Sequence, residues 1–122
     1  MRILKTKAFA KRANGEELTD EALRSAIEEF EGGLTGAALG ANLYKKRVAV
    51  GSKGKSGGLR TILVYKAADD KVFCVDVFPK NKKENISKTE LEGLKRLAEY
   101  LLALKEMDIT RSIEMNTLIE VK

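Results

Sequence analysis

Three runs of apolar residues in the middle of the chain have the composition of β-strands. They are Leu43–Val50, Leu59–Lys66 and Lys71–Phe78, and they are rich in Val, Ile, Leu, Phe and Tyr. The second and third runs alternate little, which is typical of strands covered on both faces. Only Ala67–Asp70 separates them, so they are predicted to form a hairpin. In the first run, the alternation of side chains places Lys45 and Arg47 on one face and Lys46 on the other.

Helical patterns lie on either side of these strands. Thr19 or Asp20 is a good N-cap for a helix that ends near Glu31. Ser87 and Glu90 have the spacing of a capping box. The helix they begin has apolar residues three and four positions apart, namely Leu91, Leu94, Leu97, Ala98 and Leu101. The pattern also predicts shorter elements, a strand at Arg2–Leu4, a helix at Thr6–Ala13 and, after one helical turn, a strand at Leu118–Val121.

Together these elements predict an α+β fold over residues 1–122, in one domain. N-terminal helices and a C-terminal helix would pack on a mainly antiparallel, twisted sheet of about four strands. Residues 106–122 would form a C-terminal extension. The segment Leu34–Asn42 is rich in small residues and glycines, and we interpret it as a connector.

The composition limits the kinds of metal site and catalytic site that this fold can contain. The chain has no histidine and a single cysteine, so the usual metal ligands and the usual neutral-pH acid–base group are missing. We therefore expect neither a metal nor a cofactor, and we expect Cys74 to be a small buried hydrophobic residue. No run approaches the about 20 apolar residues of a membrane span, and no secretory signal is visible. These features favour a cytoplasmic protein with no membrane contact.

The positive charge is concentrated in two segments. The net charge is +5, yet the stretch between Glu31 and Asp69 contains no acidic residue. That stretch carries seven basic residues, Lys45, Lys46, Arg47, Lys53, Lys55, Arg60 and Lys66. A second cluster consists of Lys80, Lys82 and Lys83. Such concentration is typical of a surface that binds a polyanion, although a solvated basic loop would have the same composition.

The stretch Ala49–Ser56, AVGSKGKS, fits a relaxed nucleotide-binding phosphate loop. Such a loop must lead directly into a helix, whose N-terminal amides hold the phosphates. Gly57-Gly58 and a β-rich run follow instead, so we reject nucleotide binding. A basic hairpin loop fits better, in which Lys53 and Lys55 approach a phosphate chain. Antiparallel pairing of the next two strands would bring Arg60 and Lys80 to the same end of the sheet.

The order of these features resembles the RelE/HigB family of toxins from type II toxin–antitoxin modules. The resemblance runs from about Ala8 to Leu104, and it is sharpest in LYKKRVAVGSKGKSGGLRTILVY and FPKNKKENISKTELEGLKRLA. It implies a metal-independent endoribonuclease that cleaves messenger RNA, usually on the ribosome, by attack of the RNA's own 2′-hydroxyl. It also implies a cognate antitoxin, expected to be a helix-turn-helix protein, that covers the basic residues of the toxin.

The resemblance assigns roles to individual basic residues. Arg60, Lys80, Arg47 and Lys45 match the catalytic positions, and Lys53 and Lys55 match loop lysines of the HigB-like branch. We expect Lys46, Lys82 and Lys83 to add to RNA or phosphate binding. Some members have a tyrosine shortly after the last basic run, where this chain has Asn85-Ile86-Ser87. The group that accepts the proton therefore stays open.

Two other functions fit the same sequence. One is a ParE-like poison of DNA gyrase, which shares the fold but cleaves no RNA. The other is a basic RNA-binding module without catalysis.

Overall fold

The computed structural model describes residues 1–50, 58–80 and 86–122 of the chain. Within these residues the chain forms six strands and four α-helices. Their bounds are β1 Arg2–Thr6, α1 Lys7–Gly15, α2 Asp20–Glu31, β2 Ala37–Gly40, β3 Leu43–Val48, β4 Leu59–Tyr65, β5 Lys71–Pro79, α3 Lys88–Leu102, α4 Glu106–Glu114 and β6 Leu118–Val121.

All six strands belong to one open sheet, in the order β2-β3-β4-β5-β1-β6. Strand β1 is parallel to β5, and the other neighbouring strands are antiparallel. The hairpin of β4 and β5 confirms the prediction from the apolar runs, and a short 3-10 turn at Ala67–Asp69 connects the two strands. The predicted α+β class is confirmed.

The helices divide between the two faces of the sheet. One core contains apolar side chains of α1 and α2, such as Phe9, Ile27 and Phe30, and we call this sheet face the α1–α2 face. The second core contains side chains of α3 and α4, such as Leu101 and Ile109, and this is the α3–α4 face. Central strands β4 and β5 are covered on both faces, which explains why their sequences alternate so little.

Cys74 of β5 is fully buried in the first core, as predicted. Burial raises the pKa of its thiol from 9.0 to about 12, because desolvation disfavours the thiolate.

Local capping chemistry fixes where the helices begin. The hydroxyls of Thr6 and Thr19 accept from the amides of Phe9 and Ala22, at the starts of α1 and α2. At α3 the Ser87 hydroxyl accepts from the Glu90 amide at 3.1 Å, and the Glu90 carboxylate accepts from the Ser87 amide at 3.0 Å. This confirms the predicted capping box.

The predicted count of about four strands was too low, and the connector predicted at Leu34–Asn42 was wrong in part. Residues Ala37–Gly40 form the edge strand β2, which pairs with β3. Its sequence of alanines and a glycine carries no strand pattern, so it depends on pairing with β3. Gly36 allows the approach, because a β-carbon there would lie 2.1 Å from the carbonyl oxygen of Lys45. At the other edge, β6 joins the same sheet beside β1.

Candidate phosphate-binding surface

The side chains of Lys45, Arg47 and Arg60 share one face of the sheet. Strands β3 and β4 pair so that Arg47 lies directly opposite Arg60 and Lys45 lies opposite Ile62. Opposite residues project from the same face, with Cβ atoms about 4.5–5.5 Å apart. Ile62 is in the second core, so all three basic residues are on the α3–α4 face.

These cations differ in exposure to solvent. Arg60 is only 4% exposed, and its neighbour on β5, Phe78, is 5% exposed. Lys45 is half-buried, and Arg47 is exposed. The guanidinium of Arg60 is charged at every ordinary pH. The exposed Arg47 beside it is accessible to a ligand.

Lys80 lies at the same end of the sheet as Arg60. In the β4–β5 hairpin Arg60 is opposite Phe78 and Leu59 is opposite Pro79, so Lys80 is the next residue beyond the pairing. Its side chain is exposed. The predicted placement of Arg60 and Lys80 is therefore confirmed. We call Lys45, Arg47, Arg60 and Lys80 the basic surface.

The pairing of Arg47 with Arg60 is unfavourable for folding alone. Like charges directly opposite one another on two strands destabilise a sheet. Local conflicts of this kind are expected at functional sites. Planar guanidinium groups suit the oxygens of a phosphate.

The chain after residue 57 decides between two kinds of phosphate site. From Leu59 onward it forms β4, in antiparallel register with β3. A nucleotide-binding loop would lead into a helix at this point. The strand at this position agrees with the prediction that no helix starts there, while residues 51–57 of the loop itself lie outside the described residues.

Comparison with protein families identifies the chain. A family model described as "RelE toxin of RelE / RelB toxin-antitoxin system" matches residues 1–121. The chain belongs to the RelE toxin family. It is therefore a toxin of a toxin–antitoxin system, and its partner is an antitoxin. A search of the curated proteins gave no match.

Lys46 of this RelE toxin is not brought to the basic surface. It projects from the α1–α2 face and is 4% exposed. Its ammonium lies 2.8 Å from the Glu29 carboxylate of α2. This contact holds β3 against α2 and leaves Lys46 away from a ligand on the other face.

Four further predicted residues of the toxin lie outside the described residues. They are Lys53 and Lys55 in 51–57, and Lys82 and Lys83 in 81–85. The predicted convergence of these lysines on the basic surface stays a prediction.

Several residues behind the basic surface were not predicted from the sequence. The Thr61 hydroxyl donates to the Lys46 carbonyl at 2.9 Å, across β3 and β4. On β5, the Asp76 carboxylate accepts from the Arg12 guanidinium of α1 at 2.5 Å. These contacts fix the strands of the toxin from the α1–α2 face. The sequence signal for the contact with Arg12 was Asp76 itself, a single acidic residue within a largely apolar strand.

None of the helices in the described part of the toxin combines the length and apolar character that a membrane span requires.

Proposed function

We propose that this toxin is a metal-independent endoribonuclease that cleaves messenger RNA on the ribosome. The observation that carries the proposal is the basic surface, in which Arg47 lies opposite Arg60 with Lys45 beside them. Lys80 follows at the same end of the sheet. Four cations on neighbouring strands can contact a single phosphate group and the phosphates next to it.

The reaction uses the RNA's own nucleophile. Attack of a 2′-oxygen on the adjacent phosphorus places extra negative charge on the phosphate oxygens. The bond to the next 5′-oxygen then breaks, leaving a 2′,3′-cyclic phosphate and a 5′-hydroxyl. The proton of the 2′-hydroxyl leaves, and a proton reaches the 5′-oxygen.

We assign phosphate binding and proton transfer to different basic residues according to their chemistry. Arg60 and Arg47 stay charged and bind the phosphate oxygens, so they stabilise the charge of the transition state. Lys45 and Lys80 are lysines, which can exchange protons, and we assign proton transfer to this pair. The absence of histidine from the sequence agrees with a lysine–arginine mechanism.

The main test is controlled expression with primer extension on cellular messages. We expect codon-aligned cuts for the wild-type toxin and about 100-fold less cleavage for Arg47→Ala and Arg60→Gln, because each loses a transition-state contact. Arg111→Ala on α4 is the matched control, since Arg111 is exposed and off the sheet. Circular dichroism verifies that each variant folds.

Other outcomes would replace the proposal. Growth arrest with intact messages and with DNA breaks would favour a gyrase poison. A well-folded toxin that binds RNA, arrests no growth and leaves messages intact would favour a non-catalytic RNA-binding protein.

Ribosome dependence needs a separate experiment. Purified toxin is incubated with one message, either naked or held in a ribosomal decoding site. We expect cleavage only in the second case, and equal rates in both would overturn the ribosomal part of the proposal.

A further inference from the structure

A second candidate binding site lies away from the basic surface, where the β2–β3 turn meets α3. This cleft has a volume of about 590 Å³. The turn residues Ala41 and Asn42 form one wall, and the C-terminal half of α3 forms the other with Lys95, Arg96, Glu99 and Leu102. Clefts of this volume are typical of small-molecule sites.

The lining of the cleft combines two cations and one carboxylate with apolar and neutral polar groups. Among the described residues, neither Lys95 nor Arg96 forms an ion pair. By contrast, Lys46 and Arg12 on the opposite face are paired with carboxylates. The two cations of the cleft are therefore available to an external anion.

The cleft and the exposed Arg47 lie toward opposite ends of β3. Helix α3 packs over Leu43, on the α3–α4 face. The Lys95 ammonium lies 3.8 Å from where a β-carbon on Gly40 would stand, and Gly40 is opposite Leu43. From Leu43, alternate residues on the same face are Lys45 and Arg47. At 3.3 Å per residue this row spans about 13 Å.

We propose that the cleft binds a further nucleotide of the same RNA strand, about four nucleotides from the phosphate at Arg47. The number follows from dividing the span of about 13 Å by the 3.4 Å rise per nucleotide of a stacked strand. The inference rests on the proposed function, because it takes the basic surface as the RNA site. Lys95 and Arg96 bind the phosphate, and the base lies against Ala41 and Leu102.

The distribution of charge favours a nucleotide over an acidic peptide. Glu99 and the negative end of the α3 dipole lie at the Leu102 side of the cleft, so they repel a carboxylate there. The same groups accept hydrogen bonds from exocyclic amino groups of a base or from ribose hydroxyls. One end of the cleft thus suits a phosphate, and the other end suits a base.

The test measures RNA binding without cleavage. The probes are 2′-O-methyl oligonucleotides, whose blocked 2′-oxygen prevents the proposed attack, in lengths of about three and about eight nucleotides. Only the longer probe spans both sites at 3.4 Å per nucleotide. We compare the toxin with the double variants Lys95→Ala/Arg96→Ala and Lys7→Ala/Lys11→Ala. All four residues are exposed on helices, where alanine is well tolerated.

We expect Lys95→Ala/Arg96→Ala to bind the longer probe at least about tenfold more weakly, with a salt dependence about 1.4 units shallower. Binding of the short probe, and all binding by the Lys7→Ala/Lys11→Ala control, should stay unchanged. Equal loss of affinity in both double variants would overturn the proposal. Unchanged RNA binding with weakened antitoxin binding would also overturn it and assign the cleft to the protein partner.

These results are independent of catalysis. Suppose that the toxin cleaves no message but Lys95→Ala/Arg96→Ala loses affinity for the longer probe. This result would refute the proposed function and support the cleft as an RNA-binding site. If the toxin cleaves normally and both probes bind the variant as tightly as the wild type, only the proposal that the cleft binds RNA is refuted.

Discussion

Neighbouring residues of β3 have opposite roles because a strand turns alternate side chains to opposite faces. Lys45 and Arg47 project from the α3–α4 face, whereas Lys46 between them is buried on the other face in an ion pair with Glu29. The three residues are all basic, so composition alone cannot separate them. Their contacts do.

This division predicts different phenotypes for adjacent substitutions. Lys45→Ala should weaken binding of single-stranded RNA about fivefold at low salt, since one phosphate contact is lost. Lys46→Met keeps the apolar stem and should leave binding unchanged, with about 1 kcal/mol lost in the free energy of unfolding, because the remaining Glu29 carboxylate is partly exposed. Fluorescence anisotropy and urea unfolding measure the two effects. Equal weakening by both substitutions would contradict the assignment of faces.

Gly36 is a second residue with a sharp requirement. Its φ is +73°, and an added β-carbon would lie 2.1 Å from the Lys45 carbonyl oxygen. We expect Gly36→Ala to lower the free energy of unfolding by about 2 kcal/mol or more, from strain and displaced backbone. Urea unfolding checks this value.

Gly93→Ala is the matched control for that substitution. Gly93 lies on α3, and its added β-carbon would meet no atom within 4 Å. This change should stabilise the protein by about 0.5–1 kcal/mol, because alanine favours a helix. A similar loss in both variants would rule out the steric explanation.

At the scale of elements, an ion-pair cluster attaches the C-terminal segment to the sheet. The Arg2 guanidinium of β1 donates to Glu120 of β6 at 2.9 Å and to Glu106 of α4 at 2.8 Å. Lys71 of β5 also contacts Glu106, at 3.3 Å. Four elements therefore meet at one cluster, which lies at the β1–β6 side of the sheet.

The cluster predicts a pH-dependent contribution to stability. The hydrogen bond from Arg2 lowers the pKa of Glu120 below 4.5. A lowered pKa in the folded state stabilises the protein above the unfolded pKa, and this stability is lost as the pH falls through the folded value. Glu120→Gln should therefore reduce stability by about 1 kcal/mol at neutral pH, a value limited by solvent screening.

Urea unfolding between about pH 6 and pH 3 separates this contribution from other titrations. Wild type and Glu120→Gln should converge in free energy of unfolding as the pH falls. A constant difference between the two curves across that range would contradict the role of Glu120.

Elements with local signals were predictable, and those that depend on distant partners were not. The capping box of Ser87 and Glu90 is contained within four residues, so the start of α3 could be predicted. Strand β2 has no pattern of its own and exists because Gly36 lets it approach β3. Likewise, Arg47 and Arg60 were both candidates, but only the register of β3 and β4 places them opposite each other.

At the scale of the whole molecule, the charge distribution matters more than the net charge of +5. Lys46, Arg12, Lys5 and Lys71 are paired with carboxylates elsewhere in the fold. The basic surface gathers charge on one face of the sheet. Such an arrangement attracts a polyanion over distances set by the ionic strength.

This distribution predicts a steep salt dependence of RNA binding. If all four cations of the basic surface contact phosphates, the logarithm of the affinity should fall with the logarithm of salt concentration with a slope of about −3. Arg47→Ala should make the slope about 0.7 units shallower. A titration series at increasing KCl measures both, and a flat dependence would contradict phosphate binding by this surface.

The opposition of Arg47 and Arg60 also affects how the protein should be handled. An anion bound between the two guanidinium groups would interact favourably with both. A ligand that binds only the native state raises the melting temperature by mass action. Sulfate, phosphate or heparin in the buffer should therefore raise the melting temperature of the toxin and protect it during purification.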